Sequence, residues 1–150
     1  MFTTPQSDPK PGSTRVLVVD DDPFYSAALL ELLAPDELIE VVGQAGDGVE
    51  AVRRALELRP DVVLMDVRMP IMDGYEATQK IRELLTSVQV LIVTSSATRE
   101  DVARAHDVGA AGYVTKDRVS EELVDAVLVA VAARRRPFSE TRLASLAGAR

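Results

Sequence analysis

A chain of 150 residues, 47% hydrophobic and 27% charged, has apolar content for one core of ordinary size, which excludes a disordered composition. The absence of cysteine excludes disulfides and thiolate metal sites, and 17 basic against 24 acidic residues leave a net charge of −7, which removes any general electrostatic reason to hold nucleic acid. No apolar stretch approaches the roughly 20 residues of a membrane span, and the polar, proline-bearing segment 1–14 lacks the apolar core of a secretory signal, so it reads as a flexible lead-in to a cytoplasmic protein.

The first element is a β-branched run, Val16–Val19, that stops abruptly at Asp20, Asp21 and Asp22. Asp22 followed by Pro23 signals a helix start, with Asp22 as N-cap and Ala27, Leu30 and Leu33 at helical spacing beyond it. Residues 38–45 read as a second strand, and Asp47–Leu58 as a second helix with Val49, Val52, Ala55 and Leu56 on one face. A third strand, 62–65, runs into Asp66, and Gly74–Leu85 has helical length. Residues 88–93 form a fourth strand that ends at Thr94. Thr98–Val108 makes a fourth helix, which Gly109 closes; its His106 reads as a surface residue. The fifth strand, 111–114, stops two residues before Lys116. The last helix begins at Ser120 and aligns Leu123, Val124, Val127, Leu128 and Val131. Off that stripe, Ala126, Val129, Ala130 and Ala133 offer a second apolar face, either a dimer interface or a tolerated alanine-rich surface. Arg134-Arg135-Arg136 reads as favourable charge at a helix C-terminus, and the tail with Ser139, Leu143 and Leu146 is enough for one short helix, not a domain.

Five strands alternating with five helices imply a parallel sheet with right-handed crossovers and helices on both faces, a doubly wound α/β fold. Such sheets bind ligands at the carboxyl ends of their strands. There the sequence gathers Asp20, Asp21, Asp66, Thr94 and Lys116. Three carboxylates in one place repel one another unless a cation intervenes, and an oxygen-only donor set suits Mg²⁺. Asp66 then serves as an ionised nucleophile, while Lys116 and Thr94 meet two oxygens of an incoming phosphoryl group. Singly, each residue has an ordinary explanation as turn former, strand end or surface lysine. Together, at the strand ends of one sheet, they point to phosphoryl chemistry.

The stretches RVLVVDDDP, PDVVLMDVRMPIMDG, VLIVTS and AAGYVTKD resemble the receiver domain of bacterial two-component response regulators, in order and spacing, over residues 15–134. The resemblance implies a flavodoxin-like, CheY-like (βα)5 fold with strand order 2-1-3-4-5. It implies that Asp66 accepts a phosphoryl group from a sensor histidine kinase or a small phosphodonor, with Mg²⁺ as cofactor. It also implies a switched interaction surface, and no enzymatic turnover beyond slow autodephosphorylation. By the same resemblance, Asp21 holds the metal directly and Asp20 through water, and the backbone carbonyl of Arg68 completes the protein's share. Thr94 and Lys116 match the family's hydroxyl and lysine. Tyr113 matches its switch aromatic, where the residues alone suggest a half-buried strand aromatic. A homodimer would use the last helix or the face of helix 4, strand 5 and helix 5; direct nucleic-acid or membrane binding is not expected.

Two departures stand out. Asp117 replaces the usual proline after the lysine, which resembles the NarL-like subgroup whose receivers precede a LuxR-type helix-turn-helix domain. Positions 68 and 96 tune hydrolysis in the family, and the long cationic Arg68 leaves the lifetime of the phosphorylated state open. With 1–14 as lead-in and 135–150 as a linker-like tail, the chain reads as a receiver separated from a transcriptional output domain or as a stand-alone regulator, and the tail favours the first. Two alternatives remain at this level. One is a degenerate receiver acting as a phosphorylation-independent binding module. The other is a haloacid-dehalogenase-type phosphatase using Asp20 and Asp22, against which Pro23 and Phe24 break the pattern and Asp66 is left unexplained.

Overall fold

Strand and helix alternate as the apolar pattern demands. A computed structural model describes residues 12–135 of the chain. In order, these form β1 (Thr14–Val19), α1 (Pro23–Leu33), β2 (Ile39–Ala45), α2 (Gly48–Leu58), β3 (Val62–Met65), α3 (Gly74–Leu84), β4 (Gln89–Thr94), α4 (Arg99–Asp107), β5 (Gly112–Thr115), a 3-10 turn at Lys116–Arg118, and α5 (Val119–Arg135). All five strands pair in parallel in the order β2-β1-β3-β4-β5, the doubly wound arrangement expected. The short helix suggested around Ser139, Leu143 and Leu146 lies outside the described residues, as do Arg136 and nearly all of the lead-in.

The pleat of each strand divides its side chains between two cores. Leu17 and Val19 of β1, Val63 and Met65 of β3, and Val90 and Ile92 of β4 pack against α2, α3 and α4. Their neighbours Val16, Val18, Val62, Leu64, Leu91 and Val93 pack against α1 and α5. This double-sided burial is why the strands read as continuous apolar runs rather than alternating ones.

Three helix faces differ from the periodic reading. In α1 the buried residues are Ser26, Leu29 and Leu33, so Ala27 is exposed and Leu30 lies at the margin. In α2 the buried contact is made by Gly48, Ala51 and Ala55, with Val52 and Leu58 packed beside them as partly buried residues, while Val49 and Leu56 are exposed. In α5, Ala130 belongs to the core with Leu123, Val127 and Val131. The suggested second apolar face therefore shrinks; Val129, 67% exposed, is its one large apolar side chain facing solvent among the described residues. Strand limits moved by one or two residues, the ordinary uncertainty at element ends.

Candidate functional site

Backbone pairing fixes the site before any side chain acts. The Asp20 amide donates to the Ala45 carbonyl at 3.0 Å and the Asp66 amide to the Val19 carbonyl at 2.9 Å, so both aspartates leave the sheet from held positions. The loop after β3 is clamped from two directions: the Gly74 amide donates to the Val67 carbonyl at 2.8 Å, and the Gly48 amide to the Met72 carbonyl at 3.1 Å. A Cβ at Gly74 would collide with the Asp66 carbonyl, and one at Gly48 with the Met72 carbonyl, so only glycine permits α2 and α3 to start this close to the loop. Within it the Met72 amide reaches back to the Pro70 carbonyl at 2.8 Å, forcing Ile71 to φ +72°, a strained conformation for a β-branched residue.

Asp20 and Asp66 are buried, Asp21 is exposed, and the three offer carboxylate oxygens all within 4.8 Å of one another. Lys116 bridges the two buried ones, its Nζ standing 2.9 Å from Asp20 Oδ2 and 3.4 Å from Asp66 Oδ1. Each buried carboxylate also takes one backbone donor: the Asp22 amide on Asp20 Oδ1 at 2.8 Å and the Val67 amide on Asp66 Oδ1 at 2.9 Å. Burial first, and then the charge of Asp20, push Asp66 up to about 6 against the opposing pull of Lys116. Burial works against the lysine's charge, but its bond to Asp20 and the charges of both carboxylates outweigh that and hold it above the usual lysine range. The site thus has one ammonium for three carboxylates, all hard oxygen donors, a set that fits a divalent cation such as Mg²⁺.

Thr94 ends β4 buried, and its Oγ1 accepts the Ser96 amide at 3.2 Å. Tyr113 on β5 is 45% exposed and borders, with Thr94, Ser96, Tyr75, Asp101 and Ala105, a shallow surface recess. Around it, Asp101 accepts the Thr98 amide at 3.2 Å and the Ser96 hydroxyl at 3.0 Å, and its bonds with Thr98 first, then Ser96, hold it below the usual carboxylate range. The Tyr75 hydroxyl donates to Asp101 at 3.4 Å, and the Arg104 guanidinium lies 4.4 Å from the Tyr75 ring centre.

Asp20, Asp21, Asp66 and Lys116 are therefore gathered as the spacing suggested, with Thr94 on the next strand. Arg68 stands exposed in the loop after β3. Asp22 is occupied as the cap of α1, accepting the Phe24 amide at 2.9 Å and the Tyr25 amide at 3.4 Å. His106 is fully at the surface. Sequence reading missed Tyr25, whose ring lies against Lys116, and the Tyr75–Asp101 contact. The available signal for Tyr25 was an aromatic in the first helical turn after the acidic run.

Residues 16–128 match the family model described as the response regulator receiver domain. The response regulator GacA of Pseudomonas viridiflava is 41% identical over 121 residues, covering 81% of this chain and 56% of that protein. The transcriptional regulatory protein LnrK of Bacillus subtilis is 39% identical over 114 residues, 76% of this chain and 52% of that one. The chain thus spans about half the length of these curated relatives. Among solved structures, the signal receiver domain of the putative response regulator NarL from Mycobacterium tuberculosis superposes with a TM-score of 0.78 at 34% identity, covering 81% of this chain and 98% of that one.

Proposed function

Because the chain belongs to the response regulator receiver domain family, we propose that Asp66 is its phosphoacceptor, that Mg²⁺ is its cofactor, and that a sensor histidine kinase or a small phosphodonor supplies the phosphoryl group. One observation carries this: a buried carboxylate at the end of β3 that shares a single lysine with Asp20 while Asp21 stands alongside. Asp20, Asp21, Asp66 and the backbone carbonyl of Arg68 would hold the metal. When bound, Mg²⁺ supplies the positive charge that three carboxylates and the phosphoryl oxygens require.

A carboxylate oxygen of Asp66 attacks phosphorus. The phosphorus–nitrogen bond of a phosphohistidine, or the phosphorus–oxygen bond of an acyl phosphate, breaks, and its electron pair leaves with the imidazole or carboxylate. Lys116 neutralises charge on a phosphoryl oxygen beside Asp66, and the Thr94 hydroxyl exchanges its Ser96 contact for another such oxygen. That movement opens space at the recess, into which Tyr113 turns, altering the surface of α4, β5 and α5. This face, or α5 with Val129, is where a second copy would bind. The receiver unit runs from Thr14 to Arg135, one residue beyond 15–134 at each end, and its output is transcriptional control. No described helix is long and apolar enough to cross a membrane, in keeping with a cytoplasmic setting. Against the phosphatase alternative, Asp22 serves as the cap of α1 and Asp66 would be left without a role.

The test is intact mass after incubation with Mg²⁺ and acetyl phosphate, for wild type, Asp66→Asn and Asp20→Asn. One Mg²⁺-dependent phosphoryl adduct, absent from Asp66→Asn, is expected. An adduct that survives Asp66→Asn and vanishes in Asp20→Asn would overturn the assignment, and no adduct with any donor would favour the binding-module reading.

A further inference from the structure

The ammonium of Lys116 is enclosed on a side that the two aspartates do not account for. Besides its bonds to Asp20 and Asp66, its Nζ lies 4.3 Å from the centre of the Tyr25 ring, over the ring face. The hydroxyl at the far end of that ring donates to the backbone carbonyl of Lys116 at 3.3 Å. One side chain therefore grips the lysine at both head and root. Tyr25 is itself fixed, since it sits in the first turn of α1 with its amide on the Asp22 carboxylate.

Lysine is a point charge on a flexible stem of four carbons, and nothing in its own chemistry keeps its head beside one chosen carboxylate. An aromatic face attracts a cation lying within about 6 Å, and it does so over an area rather than along one bond direction. An ammonium can therefore move from Asp20 toward a phosphoryl oxygen on Asp66 without leaving the ring.

We propose that Tyr25 is a positioning residue for phosphoryl transfer: its ring seats the Lys116 ammonium beside Asp66, and the bond from its hydroxyl to the Lys116 carbonyl is a secondary anchor of that ring. The proposal rests on the reading of Asp66 as phosphoacceptor. Tyr25 acts only through Lys116, and small displacements of a charge-neutralising group slow such reactions strongly.

The experiment compares wild type, Tyr25→Leu and Tyr25→Phe in the full chain. Tyr25→Met serves as a second ring-less variant of similar bulk should the leucine variant not fold. Two quantities are read: the initial rate of adduct formation at fixed Mg²⁺ and acetyl phosphate, and the proton resonances of the Lys116 Cε methylene. In wild type those resonances should lie upfield, shielded by the ring. The ring-less variants should lose that shift and react about five- to tenfold more slowly, while Tyr25→Phe keeps the shift and recovers most of the rate. Wild-type resonances at unshielded positions, a ring-less variant reacting at the wild-type rate, or a phenylalanine variant as slow as the leucine one would each overturn the proposal. Should wild type itself take no phosphoryl group on Asp66, the phosphoacceptor reading falls and the proposal with it. A reacting wild type with an equally fast ring-less variant removes only the role of Tyr25.

Discussion

The strand β3 carries an aspartate at each end, and the two meet opposite fates. At the amino end, Asp61 accepts the Arg15 amide at 2.8 Å and the Arg134 guanidinium at 2.9 Å. Arg134 also donates to the Ser87 carbonyl at 3.1 Å, and the Arg15 guanidinium to the Arg59 carbonyl at 2.9 Å. One carboxylate faces one cation that touches it, and its two partners tie β1 and α5 to the start of β3. At the carboxyl end, Asp66 shares Lys116 with Asp20, and Asp21 adds a third negative charge. The residue type is the same. What differs is charge balance: the closed account at one end makes a staple, and the surplus at the other makes a site that calls for a cation.

Removing the lone cation should widen that contrast most. Lys116→Met leaves Asp20 and Asp66 buried together without a counter-charge, and should cost about 3 kcal/mol of stability at neutral pH. Urea unfolding measures this, and added Mg²⁺ should restore part of the loss; a variant as stable as wild type would mean that the lysine merely covers the site.

The surplus should also appear as a pH dependence. Asp66 is raised from an ordinary 3.8 to about 6, so the folded state binds its proton more tightly than the unfolded chain does. Its contribution is then most favourable below the unfolded value and is lost as pH rises through about 6. Stability should rise by about 1.4 kcal/mol between pH 7.5 and pH 5 from this group, and Asp66→Asn should remove that slope when urea curves at the two pH values are compared. The smallest effect belongs to the balanced end. Arg134→Ala should cost about 1 kcal/mol in the same unfolding assay, while the rate of adduct formation on Asp66 stays unchanged; a slower rate would show that the two ends communicate.

The strand ends were legible because each is a polar residue interrupting an apolar run, and the carboxyl-edge rule converts that interruption into a place. The cap role of Asp22 was legible too, since Pro23 follows it directly. Helix faces were harder. In the α1 stretch AALLELL almost any phase presents a leucine, and α5 is apolar at nearly every position from Ala126 to Ala133, so periodicity could not select Leu29 over Leu30 or place Ala130 inside. The partners of Lys116 and Arg134 were out of reach for another reason. Tyr25 is 91 residues from Lys116, and Asp61 is 73 from Arg134; local pattern holds no record of such meetings. Arg134 accordingly read as a cation at a helix end, when its guanidinium is a cross-link.

The four residues between the two aspartates, Val62–Met65, have no exposed surface at all, and each aspartate's amide still bonds to β1. Slipping β3 by one position would drive a carboxylate into a hydrocarbon layer and turn every side chain to the wrong face. The strand is thus a bolt with a head at each end, unable to slide in either direction. Its amides should be among the slowest in the molecule to exchange their hydrogens. A charge added at one head therefore cannot be absorbed by movement of the shaft and must be taken up sideways, by β4, β5 and the loops beside them.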